Sequence, residues 1–183
     1  SDRPAGVVVL SLRPDWEPRF LQPVLEQALG LPVRGFLRVG PDRYIRSAAG
    51  AEAGTRASDA EVRQAMTQAD LVVVHGLGRD APAWVGEAAG RARRILIFPT
   101  PDAGTAGLPL ALPPVAAGEW YVSADLPPSP VTALLGTIAT DDLPPLTNLR
   151  PLDAGGGTWA PLQASRGRRG VPTAAVVAGE RAG

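Results

Sequence analysis

His75 is the only histidine of the chain, and there is no cysteine. An imidazole can serve as a general base or as a metal ligand. A serine or threonine hydroxyl becomes a nucleophile only beside such a base, and His75 is the only imidazole open to Ser11 or Thr100. The plainer role for His75 is to cap the end of its strand through backbone hydrogen bonds, and the absence of a paired nucleophile favours that role. Asp15 and Glu17 could form a carboxylate pair near it, yet acidic residues at a helix start also simply complement the helix dipole. One histidine and scattered carboxylates have no metal-ligand spacing, so neither a metal nor a cofactor is expected. The lack of cysteine removes disulfides, thiolate nucleophiles and cysteine metal sites together.

Gly76-Leu77-Gly78-Arg79-Asp80-Ala81 fits G-x-G-x-x-A between a strand and a helix, where bare backbone could approach a pyrophosphate. It follows the third strand rather than the first, and Asp102, beyond the next apolar run, is a poor ribose partner; a tight turn that needs glycine is the preferred reading. The strand-end residues Arg13, Asp15, Glu17, His75, Gly76, Gly78, Arg79 and Thr100 form the candidate ligand-binding set, with Ser11, Asp80 and Asp102 facing the same crevice. No catalytic residue is assigned. Arg166, Arg168 and Arg169 could meet phosphate or anionic lipid, but on a turn they read as a solvated hairpin tip. Trp16, Trp84, Trp120 and Trp159 are too dispersed to form a stacking stripe and read as packing residues.

These side chains need a scaffold, and the first half of the chain supplies the pattern for one. Short apolar runs alternate with helical periodicity, the mark of βαβ units. Val7 to Leu10, Leu31 to Val39, Leu71 to Val74 and Arg94 to Phe98 are the expected strands. Helices are expected after Asp15, closed by Gly30 and interrupted at Pro23; from Ser58, with Glu61 completing a capping box, to near Ala69; and from Asp80. Right-handed crossovers give a parallel order 2-1-3-4 with the first strand flanked on both sides, and Val73 and Ile97 are expected in the core. Residues 99–130 and 141–151 read as Pro-rich connections around a short helix at Ser129 to Thr137. Thr158 to Ala164 and Val171 to Ala178 read as a late hairpin extending the sheet. The expected fold class is therefore α/β: a three-layer, open, mostly parallel flavodoxin-like sheet with helices on both faces and a late β-hairpin, in one domain spanning 1–183.

At 183 residues the chain is long enough for one full core. Basic and acidic residues number 18 each, so no large field draws a polyanion and a nucleic-acid partner is not expected. No apolar run approaches the roughly 20 residues that span a bilayer. Ser1 opens without signal-peptide character, and the stop at Gly183 reads as that of a domain excised from a larger protein.

Val7 to Leu12 followed by Arg13-Pro14-Asp15-Trp16-Glu17-Pro18-Arg19-Phe20-Leu21 resembles the opening of class I glutamine amidotransferase-like domains of bacterial membrane-associated proteins. There a strand, a short polar turn and a Trp-Glu-x-x-x-Leu-type helix begin the domain. The likeness continues through Asp70 to Gly76, Arg94 to Phe98 and Gly170 to Gly179. In active members a cysteine occupies an elbow after a central strand, with a later histidine as its base. The matching turn here, Phe98-Pro99-Thr100-Pro101-Asp102, has no cysteine, and the only histidine lies upstream. The resemblance thus implies a non-catalytic scaffold, sensing or interaction domain of a larger, membrane-anchored protein, on either side of the membrane. Its partners would be other domains of the same protein or another protein. The rival readings are a small-ligand or nucleotide-binding module using the strand-end crevice and an unrecognised hydrolase using His75 with a carboxylate.

Overall fold

The computed structural model describes residues 6–15, 17–47, 52–104, 112–137, 139–155, 157–167 and 169–179. Trp16 and Arg168 lie outside them, and so does the side chain of Glu17. The chain divides into two compact units, Ser1–Ala111 and Leu112–Gly183.

In the first unit the elements are β1 (Val7–Ser11), α1 (Glu17–Leu29), β2 (Val33–Gly40), β3 (Arg43–Arg46), β4 (Arg56–Ala57), α2 (Asp59–Gln68), β5 (Leu71–Leu77), α3 (Ala83–Arg91) and β6 (Ile95–Pro99). They build a sheet ordered β4-β3-β2-β1-β5-β6. β1 is parallel to both of its neighbours, with Val9 in register with Gly35 and Val73, and β5 is parallel to β6. The four expected strands therefore stand in the expected order with β1 flanked on both sides.

The burial pattern explains that centrality. All five residues of β1 are buried, as a strand covered on both faces requires. Side chains alternate between faces. Val8, Leu10, Val72 and Val74 pack with Val62, Met66, Trp84 and Val85 of α2 and α3. Val7, Val9 and Val73 pack with Leu21 and Leu25 of α1. Each fully buried valine contributes about 1.5–3 kcal/mol. Ile97, expected in the core, is only partly buried, because β6 is the outer strand and has a neighbour on one side.

The local signals act as their chemistry dictates. Ser58 and Glu61 close a reciprocal capping box at the start of α2. Gly30, at φ +62°, donates its amide to Glu26 O at 3.0 Å and ends α1. Asp80 does not open α3. That helix begins after Pro82, whose missing amide is no loss in a first turn, and Asp80 stays in the preceding turn.

The expected fold class is overturned. The polar connection after β2 does not cross over the sheet but folds back as β3 and β4, both antiparallel to their neighbours, so the sheet is mixed. The fold-back is closed at Pro41-Asp42, where Asp42 adopts φ 47°, a left-handed conformation that Asp tolerates better than most residues. The late hairpin does not extend this sheet.

It belongs to the second unit, formed by β7 (Ala116–Val122), α4 (Thr132–Leu135), β8 (Leu146–Leu149), β9 (Thr158–Arg166) and β10 (Thr173–Gly179). The order is β10-β9-β7-β8 with every pair antiparallel, a curled half-barrel rather than an extension of an α/β sheet. Its core is small: Trp120, Leu149 and Ala164, with Ala116 and Ala175 against them. Trp120 is its largest member, and its indole N–H donates to Ala116 O at 3.1 Å.

Candidate functional site at the strand ends

The carboxyl ends of parallel strands point their following loops to one edge, and in the first unit that edge gathers Ser11, Arg13, Arg38, His75, Asp80, Thr100 and Asp102. Ser11 and His75 end as register partners on β1 and β5, and the amide of Leu12 donates to His75 O at 2.9 Å. Both side chains are buried. Ser11 Oγ lies 3.3 Å from His75 Nδ1 and donates to Arg13 O at 2.8 Å. A hydroxyl has one proton. With that proton on the Arg13 carbonyl, Oγ can only accept from Nδ1, the reverse of a nucleophile giving its proton to a base. The imidazole also tilts against the Phe98 ring, centroids 6.3 Å apart.

Arg13 turns back over this edge. Its Nη2 lies 3.2 and 3.4 Å from the two Asp102 carboxylate oxygens and 3.6 Å from Asp80 Oδ1. Arg38, from β2, donates through Nη1 to Asp80 O at 3.0 Å, and the same nitrogen is 4.0 Å from Asp80 Oδ2. Two guanidinium groups thus face two carboxylates, and the edge is close to neutral. The Asp80 and Asp102 side chains are about half exposed or more, so solvent screens these ion pairs and they add little to stability.

Thr100 is buried and serves the backbone first. Its amide donates to Leu77 O at 2.8 Å, and its hydroxyl is shared between Leu77 O at 2.9 Å and Asp102 Oδ1 at 2.5 Å. The Thr100 hydroxyl holds the Asp102 carboxyl below the usual carboxylate range, helped by its own amide, the Arg13 charge and the Arg79 amide, against partial desolvation. A hydroxyl committed to two acceptors has no proton to give a base.

The glycines of the G-x-G turn make room for these side chains. Gly76 stands at φ +73°, and a Cβ there would lie 3.3 Å from Arg13 N, Cβ and Cγ. A Cβ on Gly78 would sit 2.7 Å from Thr100 Oγ1 and 3.1 Å from both Arg13 Nη2 and Asp80 Oδ1. The backbone that a pyrophosphate would approach is covered by the protein's own Arg13 and Thr100.

Of the sequence-predicted set, Arg13, His75, Gly76, Gly78 and Thr100 come together. Asp15 is exposed, its amide donating to Arg13 O at 2.9 Å. Arg79 is exposed and faces Asp102 through its backbone. Glu17 opens α1. Sequence reasoning missed Arg38, although β2 ends beside β1 and the residues near its end reach the same edge. Among the described residues no group of three His, Cys, Asp or Glu side chains is placed to hold a metal ion, and no helix is long and apolar enough to cross a membrane. Away from this edge, a cleft of about 250 Å³ is lined by Arg34, Phe36, Arg46, Glu61 and Gln64, where Arg46 is held by Glu61 at 2.7 Å.

The chain matches no protein-family model, no curated protein and no solved structure.

Proposed function

We propose that this chain is a non-catalytic, amidotransferase-like scaffold, sensing or interaction domain of a larger protein. One observation carries the non-catalytic part: the Ser11 hydroxyl, the group closest to the sole imidazole, spends its proton on Arg13 O at 2.8 Å. Thr100 is likewise committed, and the chain has no cysteine to form a thioester. The amidotransferase likeness rests on the sequence of residues 7–21, 70–76, 94–98 and 170–179, the last of which lies in the separate antiparallel sheet. The test is ammonia release from glutamine by the purified protein, with His75→Ala and Thr100→Ala alongside. Background rates in all three are expected; turnover that disappears in either variant would make the strand ends an active site.

A second reading, a small-ligand site at the same edge, is favoured by the length of the Arg13 contacts. Separations of 3.2 to 3.6 Å exceed the roughly 2.7–2.9 Å of tight charge-assisted bonds, so an anionic ligand could displace Asp80 or Asp102 from Arg13. A thermal-shift panel of nucleotides, glutamine and sugar phosphates separates the two readings, because a ligand bound only by the folded state raises its apparent stability.

A further inference from the structure

The spacing of α1 gives it an inward and an outward side. Leu21 and Leu25 pack on Val7, Val9 and Val73 of the sheet, and Gln22 is buried on the same side, its amide donating to Ser47 Oγ at 2.8 Å. The opposite side carries Phe20, Pro23, Val24 and Gln27, at the i, i+3, i+4, i+7 spacing that makes one stripe of a helix. On a surface helix the stripe turned away from the core is ordinarily charged or polar. Here Phe20 is 60% exposed and Val24, one turn on, 59%, so two large apolar side chains face solvent together. Arg19 and Glu26 border the stripe, and both are exposed. Among the described residues neither has an ion-pair partner.

We propose that α1 is the contact helix of a weak, two-fold symmetric dimer, in which it packs antiparallel on α1 of a second copy. The pattern is self-complementary. Arg19 and Glu26 stand seven residues apart, two turns of helix, and so lie on the same flank of the stripe. When two helices pack antiparallel, each flank meets its own counterpart, and the charges there set the orientation. A two-fold axis at the level of Gln22 and Pro23 puts Arg19 of each copy against Glu26 of the other and brings Phe20 over Val24 of the other. Such an axis makes every contact twice, so four residues supply two ion pairs and two apolar contacts. Parallel packing would set Arg19 against Arg19 and Glu26 against Glu26, like charges at both levels.

The balance of charge favours a second copy over a polyanion. Arg19 and Glu26 sum to zero on this flank, so nucleic acid or an anionic lipid surface gains no net attraction from it. One side of a 13-residue helix offers less than the roughly 1,600 Å² of a standard interface, which makes the dimer a weak and reversible one. Arg13, His75 and Thr100 take no part in it, so a failure here leaves the reading of the strand ends intact.

The experiment is sedimentation equilibrium of the whole chain from about 1 μM to about 1 mM. The expected result is a monomer–dimer equilibrium that weakens as sodium chloride is raised. Arg19→Glu and Glu26→Arg each set like charges face to face and are expected to raise the dissociation constant about tenfold. The double variant Arg19→Glu/Glu26→Arg restores opposite pairs and is expected to return it to within about threefold of the parent. Val24→Glu should remove the dimer while the denaturation midpoint of the monomer stays in place, because that side chain faces solvent. A chain that stays monomeric over the whole range would overturn the proposal. So would a dimer indifferent to the single charge reversals, or a double variant no tighter than either single one.

Discussion

Ser11 Oγ and His75 Nδ1 stand 3.3 Å apart across the β1/β5 pair, and the same Oγ lies 2.8 Å from Arg13 O, a carbonyl that can only accept its proton. On the proposed reading, the contact that looks like a nucleophile and its base is a strand-end lock that holds the Arg13 loop. Ser11→Ala leaves the half-buried Arg13 carbonyl with only the Asp15 amide as donor and removes a buried hydroxyl's contacts, and is expected to cost about 1 kcal/mol in stability, measured by denaturant unfolding. A variant as stable as the parent would remove the lock.

Gly78 lies under the Arg13, Asp80 and Thr100 groups with no room for a methyl, its nearest would-be contact being 2.7 Å from Thr100 Oγ1. Gly78→Ala is expected to destabilise by about 1–3 kcal/mol through forced displacement. Gly104→Ala is the control, since a Cβ there meets nothing within 4 Å, and its melting temperature should match that of the parent. Equal effects of the two substitutions would contradict the packing described for the turn.

Val73 and Ile97 separate the centre of the sheet from its margin. Val73 is fully buried between two packed faces, whereas Ile97 sits on the outer strand and is partly exposed. Val73→Asp puts an unpaired carboxylate in a dry core and is expected to cost more than about 4 kcal/mol. Ile97→Asp can turn its charge to water and should cost less, about 1–3 kcal/mol. Denaturation midpoints in the reverse order would contradict the assignment of β6 to the edge.

How much of this was legible in the sequence depended on how strongly each segment declared itself. Val7 to Leu10 and Leu71 to Val74 are continuous apolar runs, and such runs mark strands buried on both faces; their order followed from crossover handedness. The Ser58/Glu61 pair gave the start of α2 directly. β3 and β4 were hidden because Arg43-Tyr44-Ile45-Arg46 and Arg56-Ala57 are short and polar, and only pairing with β2 makes them strands. β7 was hidden because Ala116-Ala117-Gly118 has low strand propensity, and its Trp120 core forms only once β8 and β9 arrive. At the strand ends the residue types were legible and their pairing was not. Arg38 lies near the end of β2, and none of the expected crevice residues comes from that strand, while nothing in the sequence pairs the Ser11 hydroxyl with a backbone carbonyl.

The capping box gives a pH dependence. The Glu61 carboxyl is held below its ordinary range, chiefly by the Ser58 amide, then the Ser58 hydroxyl and Arg46, and Asp102 is lowered in the same direction. A depressed folded-state pKa contributes stability that is fully present above the unfolded value, about 4, and lost as pH falls through the lower folded value. Stability should therefore decline below about pH 4, and Glu61→Gln should flatten that decline while Ser58→Ala costs about 1 kcal/mol at neutral pH. Unfolding curves from pH 7 to pH 3 test both; an unchanged acid limb in Glu61→Gln would contradict the capping role of the charge.

The central claim, that the imidazole does not activate a hydroxyl, can be read from a single proton. His75 is the only histidine, so the nitrogen-15 spectrum of its ring contains one pair of resonances and needs no assignment among residues. With the Ser11 proton on Arg13 O, Nδ1 must carry a hydrogen to bond Oγ, and a pyrrole-type, protonated Nδ1 is the predicted result at neutral pH. An unprotonated, pyridine-type Nδ1 accepting from Ser11 would reverse the hydrogen bond, make Ser11 and His75 a nucleophile and base, and contradict the non-catalytic account.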